Sequence, residues 1–497
     1  MSDGETSAHP QLERLAGLYA SRRFPEAINL ALSITKKFPG EPLTYKILGA
    51  ALAQSGNISK ALDANIKLVS LTPHDHEAHI NLGITLNELG RYNEAEKSFR
   101  TAIELEANSF LCYYNLGVTL KKVGRFEESI ASYEKAVQLN PDFTSAHNNL
   151  ASVLLELRRY NEAECSSRKA IALNQNYPLA HCNLGHALKG LGNFNESKQS
   201  YTRALTLRPN FEDALMGRWR LLFDAKDYES ALRDSDRSMS RGSTANSLAA
   251  LYALDRIEEI YDRLEAHSKA DDTDISVAAF AAFISNTQGR NAPYNFCNNP
   301  LDFIYFSNLS NHVQNSPHFI FELTEEIAKM PTVWEPSGKT TQKGFQSPQG
   351  MNIFEKSNVM LDRLKAVIFE ELDTYLLKYK NHTCSYISKW PTEYEIFGWH
   401  VVLKSQGHQK AHIHKSGWLS GVIYLKVVPC LEENEGAIEF SLNGETYTAD
   451  NSAKLVYQPE LGDLVFFPSC LHHKTIPFTT DTDRIIIAFD LKPDNLS

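Results

Sequence analysis

Leu82-Gly-Ile-Thr-Leu-Asn-Glu-Leu-Gly-Arg-Tyr-Asn-Glu-Ala-Glu-Lys-Ser-Phe99 is followed, 34 residues on, by Leu116-Gly-Val-Thr-Leu-Lys-Lys-Val-Gly-Arg-Phe-Glu-Glu-Ser-Ile-Ala-Ser-Tyr133. The same phase returns at Leu48-Gly49, Leu150-Ala151 and Leu184-Gly185, and again at Ala61, Ala95, Ser129, Ala163 and Ser197. Pro39, Pro73, Pro141 and Pro209 share a further phase and stop a helix at the end of each unit. A fixed period of this length, with apolar residues at helical spacing inside it, predicts stacked helix pairs. Small residues at fixed phase let the two helices of a unit approach closely, while Phe99, Tyr133 and Tyr201 plug the gap to the next pair. Ala27 extends the register backward and Ala231 forward, so six repeats are expected from about residue 8 to 211, with a seventh, less regular, to 243.

This pattern closely resembles the tetratricopeptide repeat. The resemblance implies an all-α superhelical solenoid whose concave face holds a peptide or protein segment. From 244 to 290 the chain still reads as helix, as in Ser247-Leu-Ala-Ala-Leu-Tyr-Ala-Leu-Asp-Arg-Ile257, but the 34-residue clock is lost, and a helical cap and linker are expected there. Asn291-Ala-Pro-Tyr-Asn-Phe-Cys-Asn-Asn-Pro300 carries the loop signals of a domain boundary, with a second domain at 295–494.

Composition narrows the function. The formal net charge of -10 disfavours nucleic acid as partner, because polyanion binders carry a basic stripe that displaces counterions. No apolar run reaches the roughly 18 residues of a membrane span, and no basic segment leads into an apolar core near the first residues. Seven cysteines without a C-x-x-C pair fit reduced thiols. A soluble cytoplasmic protein, with no membrane partner, is the expectation.

In the second half one amphipathic helix is predicted over Ser357 to Tyr379. The period then changes to two in Glu395–Leu403, Leu419–Val427, Ala437–Leu442, Asp463–Phe467 and Ile485–Leu491, short segments rich in Val, Ile, Phe and Tyr between turn residues. That predicts a jelly-roll (double-stranded β-helix) core over 395–492 with flanking helices. Six of the seventeen histidines fall here, at 400, 408, 412, 414, 472 and 473. On a strand, His412-Ile-His414 would present two imidazoles on one face, roughly 6–7 Å apart, suited to one metal ion. His473 or His472 would be the third ligand; on a continuing strand the two point to opposite faces, so only one can serve. Arg484 opens an apolar strand, and an arginine aimed into a barrel beside a metal wants a carboxylate to clamp. Trp399 and Trp418 are placed either at the mouth of the site or in the core. His74-Asp-His76 has the same spacing at a repeat boundary and reads as a solvated turn.

His412-Ile-His414, Ser420-Gly-Val-Ile-Tyr-Leu425, Gly462-Asp-Leu-Val-Phe-Phe-Pro-Ser-Cys-Leu-His-His473 and Arg484, in that order, resemble the Fe(II)- and 2-oxoglutarate-dependent oxygenases. The resemblance implies a dioxygenase that hydroxylates its substrate while 2-oxoglutarate is decarboxylated to succinate. It carries His412 and His473 over as iron ligands, Arg484 as partner of the distal carboxylate of 2-oxoglutarate, and Tyr424 as a hydrogen-bonding contact to it. The family spacing selects His473 over His472. His414 stands where the common two-histidine, one-carboxylate triad has Asp or Glu, which makes the expected metal set His412, His414 and His473. Ile486 stands where the family commonly has serine. Two alternatives remain at this stage: an interaction scaffold whose barrel binds metal or ligand without turnover, and a cupin-like enzyme, for which the glutamate expected soon after H-x-H is missing.

Overall fold

The computed structural model describes residues 9–336, 338–348, 350–355 and 358–494. They form two compact units, Met1–Ala214 and Leu215–Ser497. The first is the expected solenoid. The leading helices of its pairs are α1 (His9–Ala20), α3 (Pro42–Gln54), α5 (His76–Glu88), α7 (Phe110–Lys122), α9 (Thr144–Glu156) and α11 (Pro178–Gly190). The trailing helices are α2 (Phe24–Lys37), α4 (Ile58–Leu71), α6 (Tyr92–Leu105), α8 (Phe126–Leu139), α10 (Tyr160–Leu173) and α12 (Phe194–Leu207). The backbone keeps the clock independently of side chains. Arg22, Gly56, Gly90, Gly124, Arg158, Gly192 and Lys226, each 34 residues after the last, all take a left-handed φ of 56–79° in the turn inside a pair. The next such residue, Asp255, comes only 29 later, and there the repeat is over.

Close approach within a pair is steric. A Cβ on Gly83 would sit 2.6 Å from the Phe99 ring, one on Gly117 2.8 Å from Tyr133, and one on Gly185 2.7 Å from Tyr201. The repeat that has Ala151 in place of the glycine has Ser167 in place of the aromatic, and both are fully buried. Volume added to one helix is removed from its partner, as close packing requires. Ser129 and Ser197, at the small-residue phase, donate to the Gly117 and Gly185 carbonyls at 2.7 and 2.6 Å.

The second unit begins within α13 (Glu212–Asp224) and continues through α14 (Tyr228–Arg237), α15 (Ser243–Ala253), α16 (Ile257–Ala270) and α17 (Ile275–Gln288). Here the structure corrects the expected cap and linker at 244–290. All ten residues from Ile275 to Ile284 are buried, and they share one apolar core with the strands that follow. A helix apolar all round must be surrounded on every side. Phe280 and Phe283 of α17 pack on Tyr447 at 4.9 and 4.7 Å between ring centroids. The expected boundary loop at 291–300 is likewise internal. Ala292, Tyr294 and Phe296 are buried, and the Asn295 and Phe296 carbonyls accept from Ser385 and Tyr386. Its asparagines and prolines signal irregular backbone, but the alternating apolar side chains between them point inward.

Two antiparallel sheets follow. The larger has the order β1 (Tyr305–Asn308), β8 (Asp463–Pro468), β5 (Leu419–Lys426), β10 (Arg484–Pro493), β4 (Tyr394–Gln409), β3 (Thr341–Gln346), β2 (Val333–Trp334). The smaller is β7 (Lys454–Tyr457), β6 (Ile438–Ser441), β9 (His472–Thr475). Helices α18 (Ser316–Ala328), α19 (Val359–Tyr379) and α20 (Ser385–Ser388) flank them. The expected start of α19 at Ser357 lies outside the described residues; Asn358 caps the helix, its side chain accepting from the Met360 and Leu361 amides. Strands β1, β2, β3, β7 and β9 were not predicted, being short and set in polar sequence. Central β10 is buried from Ile486 to Leu491, and Arg484, Ile486, Ala488 and Asp490 lie on one of its faces by strand alternation. No helix among the described residues is long and apolar enough to cross a membrane.

Two outcomes are expected. A chain starting at Leu215 folds with a cooperative thermal transition, whereas one starting at Asn291, without α15–α17, lacks near-ultraviolet circular dichroism because the core has lost a wall. Gly117→Ala lowers stability by about 1–2 kcal/mol in urea titrations despite its gain in helix propensity. Combined with Tyr133→Ser, the Gly117→Ala penalty shrinks, copying the 151/167 pair.

Candidate metal centre

Strand β4 ends at Gln409, and His412-Ile-His414 lies in the irregular segment that follows, not on a strand as expected. What holds it is a single two-way bridge. The His412 amide donates to the His473 carbonyl and the His473 amide to that of His412, both at 3.1 Å. The His414 amide donates to the Ser469 carbonyl at 3.1 Å. The three rings converge, with centroids 5.1 Å (His412–His414), 4.3 Å (His412–His473) and 5.0 Å (His414–His473) apart. This is closer than strand spacing predicts, because the loop curls. One ring nitrogen from each lies within 4.8 Å of those of the other two.

Each imidazole is anchored through Nδ1. His412 Nδ1 bonds the Lys410 carbonyl at 2.7 Å and His473 Nδ1 that of Leu471 at 3.2 Å. A carbonyl only accepts, so both Nδ1 atoms carry the proton and both Nε2 lone pairs are free for a metal. Burial, and then the neighbouring imidazoles, push His412 down to about 3 and His473 well below its ordinary value, keeping both neutral as metal ligands must be. His414 Nδ1 bonds Asp490 Oδ1 at 2.5 Å.

The other three histidines of the cluster stay apart. His472 faces away on β9, edge-on to Tyr447 at 5.7 Å. His400 bonds Ser347 Oγ at 2.9 Å, and His408 the Gln406 carbonyl at 3.3 Å. Trp418 is core, with its Nε1 donating to the Tyr386 carbonyl at 2.9 Å. Trp399 is partly buried, 5.4 Å from His414.

A narrow cavity leads inward from the three histidines, lined by Val422, Tyr424, Thr475, Arg484, Ile486 and Ala488. Arg484 is 1% exposed and lies over the Tyr424 ring at 5.0 Å, yet its Nε and Nη1 and the Tyr424 hydroxyl are buried without hydrogen-bond partners. Burial lowers the guanidinium pKa and raises that of the Tyr424 phenol to about 12. A buried cation with orphaned donors is costly unless an anion meets it. Ile486, where the family has serine, adds apolar wall and no further donor. On the outer side His412 and His414 border a cleft of about 270 Å³, with Lys339, Met351, Phe397 and Lys492 among its walls. The donor set therefore fits a divalent metal at the histidines and a carboxylate at Arg484, joined by one cavity.

Sequence reasoning missed Asp490, and gave Ser420 and Ser469 no role although it quoted both within motifs. The available signal was an acidic residue inside an apolar strand, an even number of positions from Arg484.

Residues 398–490 match the family model described as "Putative 2OG-Fe(II) oxygenase". Tetratricopeptide-repeat models match 85–124, 110–143, 132–164 and 178–211. No curated protein matches the chain. Similar solved structures include the crystal structure of MamA, 23% identical over 33% of this chain and 95% of that one, TM-score 0.31. PilF of Pseudomonas aeruginosa is 22% identical over 39% of this chain and 88% of that one, TM-score 0.36. YrrB, described as a TPR protein with an unusual peptide-binding site, is 19% identical over 38% and 97%, TM-score 0.33. The chain thus carries tetratricopeptide repeats and, after them, a segment that matches the putative 2OG-Fe(II) oxygenase model.

His412→Ala or His473→Ala should each abolish retention of stoichiometric divalent metal after gel filtration, measured by elemental analysis, whereas His472→Ala retains it.

Proposed function

We propose that this protein is an Fe(II)- and 2-oxoglutarate-dependent oxygenase that hydroxylates a protein segment recruited by its repeats. The observation that carries this reading is the single cavity connecting three convergent imidazoles to a buried, unpartnered arginine. When bound, Fe(II) and 2-oxoglutarate would, together with dioxygen, supply an oxidant able to hydroxylate a carbon–hydrogen bond, one oxygen atom of dioxygen entering the product and the other the succinate that is released with carbon dioxide. The chain supplies position. His412, His414 and His473 hold the metal; Arg484 fixes the distal carboxylate through Nε and Nη1; the Tyr424 hydroxyl offers a further hydrogen bond. Val422, Ile486 and Ala488 exclude water along the cosubstrate, and the outer cleft admits the target.

Support for a peptide partner comes from the leading helices of the solenoid. Asn81, Asn115, Asn149 and Asn183 occupy one phase of α5, α7, α9 and α11, all half-buried. Nδ2 of Asn115, Asn149 and Asn183 is engaged by Leu111, Tyr114 and Asn148, so the row offers chiefly its carboxamide oxygens to the N–H groups of an extended backbone, whatever its side chains, and tethering raises the local concentration of the segment at the oxygenase. His414 in place of a carboxylate, together with Ile486, favours a second reading, a barrel that binds metal and ligand without turnover.

Anaerobic titration of the apo-protein with Fe(II) and then 2-oxoglutarate should produce the visible charge-transfer band of keto acid chelation. Arg484→Ala should weaken 2-oxoglutarate binding by about 2–5 kcal/mol, roughly 30-fold or more. Absence of both band and metal would overturn the proposal, and a band without succinate formation in air would select the second reading. The triple variant Asn115→Ala, Asn149→Ala, Asn183→Ala should leave substrate-free consumption of 2-oxoglutarate unchanged while raising KM for a protein substrate.

A further inference from the structure

His414 is anchored unlike the other two histidines. His412 and His473 rest on backbone carbonyls, but His414 Nδ1 meets the side chain of Asp490, at 2.5 Å, with Ser420 Oγ 2.9 Å away. Ser420 Oγ donates to the same Asp490 Oδ1 at 2.8 Å, and the Ser420 and Ser469 hydroxyls bond each other at 2.7 Å. Asp490, Ser420 and Ser469 are all buried. With Asp490 as the carboxylate, the proton count has one solution. A carboxylate accepts only, so the proton between Asp490 and His414 belongs to Nδ1. The Ser420 proton is committed to Asp490, so Ser469 donates to Ser420. Nδ1 of His414 is then protonated and its Nε2 lone pair faces the other two imidazoles.

We infer that Asp490 is a positioning residue that makes His414 a metal ligand, holding the Nε2-free tautomer and delivering through the imidazole the negative charge that a directly bound carboxylate would have brought. The inference rests on the metal-centre reading above. Carboxylates behind metal-bound histidines orient the ring and raise its basicity. Here the carboxylate sits on β10, on the same strand face as Arg484 and six residues from it, about 20 Å of strand. One strand therefore carries both the cation for the cosubstrate and the anion behind the metal ligand.

The test is Co(II) titration of the full-length, metal-stripped chain, together with proton NMR of the Co(II) form. Wild type is expected to bind Co(II) and to show three hyperfine-shifted exchangeable N–H resonances, one for each Nδ1. Asp490→Asn can offer its amide N–H to Nδ1 and so favours the wrong tautomer. It should weaken Co(II) binding about 10- to 100-fold and lose one of the three resonances. The melting temperature of its apo form should stay that of wild type, which a merely structural role would not allow. Ser420→Ala, a milder change to the same network, should give a smaller loss of affinity and serves if Asp490→Asn does not fold. Unchanged affinity with all three resonances in both variants would overturn the inference while leaving the metal centre standing. Tight binding in His414→Ala alongside its loss in Asp490→Asn would overturn it differently, making Asp490 itself the ligand. Failure of wild type to bind Co(II) would remove the metal-centre reading and this inference with it.

Discussion

Everything at the candidate centre depends on one pair of backbone hydrogen bonds, the mutual exchange between His412 and His473. These residues are 61 apart in the chain and belong to no common ladder; His412 lies in a loop, and β9 pairs otherwise only with β6. The bridge brings their rings to 4.3 Å and draws His414 in behind them. Each Nδ1 is then taken by an acceptor, two of them main-chain carbonyls. A site pinned by backbone has little freedom to relax when empty, which is what preorganised metal binding requires.

Strand β10 is the second organising element. Its central place between β4 and β5 forces it to be apolar, so every polar residue it carries sits at a cost. Two of those on its inner face, Arg484 and Asp490, are buried, and they differ in how that cost is met. Asp490 is engaged through Oδ1 by His414 and Ser420. Arg484 meets Tyr424, and its Nε and Nη1, left without hydrogen-bond partners, are the donors an anion would satisfy. Satisfied polar groups thus lie behind the three histidines, and unsatisfied ones at the other end of the cavity.

The two units solve packing in different ways. In the solenoid the two helices of a unit meet across a glycine and an aromatic in three repeats, and where Ala151 replaces the glycine Ser167 replaces the aromatic, so that bulk added on one helix meets a smaller side chain on the other. In the C-terminal unit no such local rule applies. Helix α17, with ten consecutive buried residues, is a wall of the same core that holds the sheets. Stability there is pooled over segments far apart in the chain, which is why the C-terminal unit is not expected to fold when cut at the loop-like stretch 291–300.

How much was legible in the sequence follows the range of the interactions. The repeats were, since a unit that touches only its neighbours writes its contacts into a period of 34 residues, as Leu82-Gly83 and Leu116-Gly117 do. Five strands of the sheets were, by alternation, and so were His412, His414, His473 and Arg484 as candidates, by order and spacing. Helices α15–α17 were visible as helices but not as core, because an all-apolar helix has no polar face to say what surrounds it. The loop conformation of His412 and His414 was hidden, since strand and curled loop both place residues i and i+2 on one side. Asp490 was hidden for the deepest reason. A carboxylate in an apolar strand announces that it has a partner, but His414 lies 76 residues away and meets it only after β10 enters the middle of the sheet. Composition and spacing name the residues that are candidates to hold a metal and a carboxylate; folding settles which nitrogens converge, which donors stay unpaired and which imidazole has an anion behind it, because those depend on contacts that no local period records.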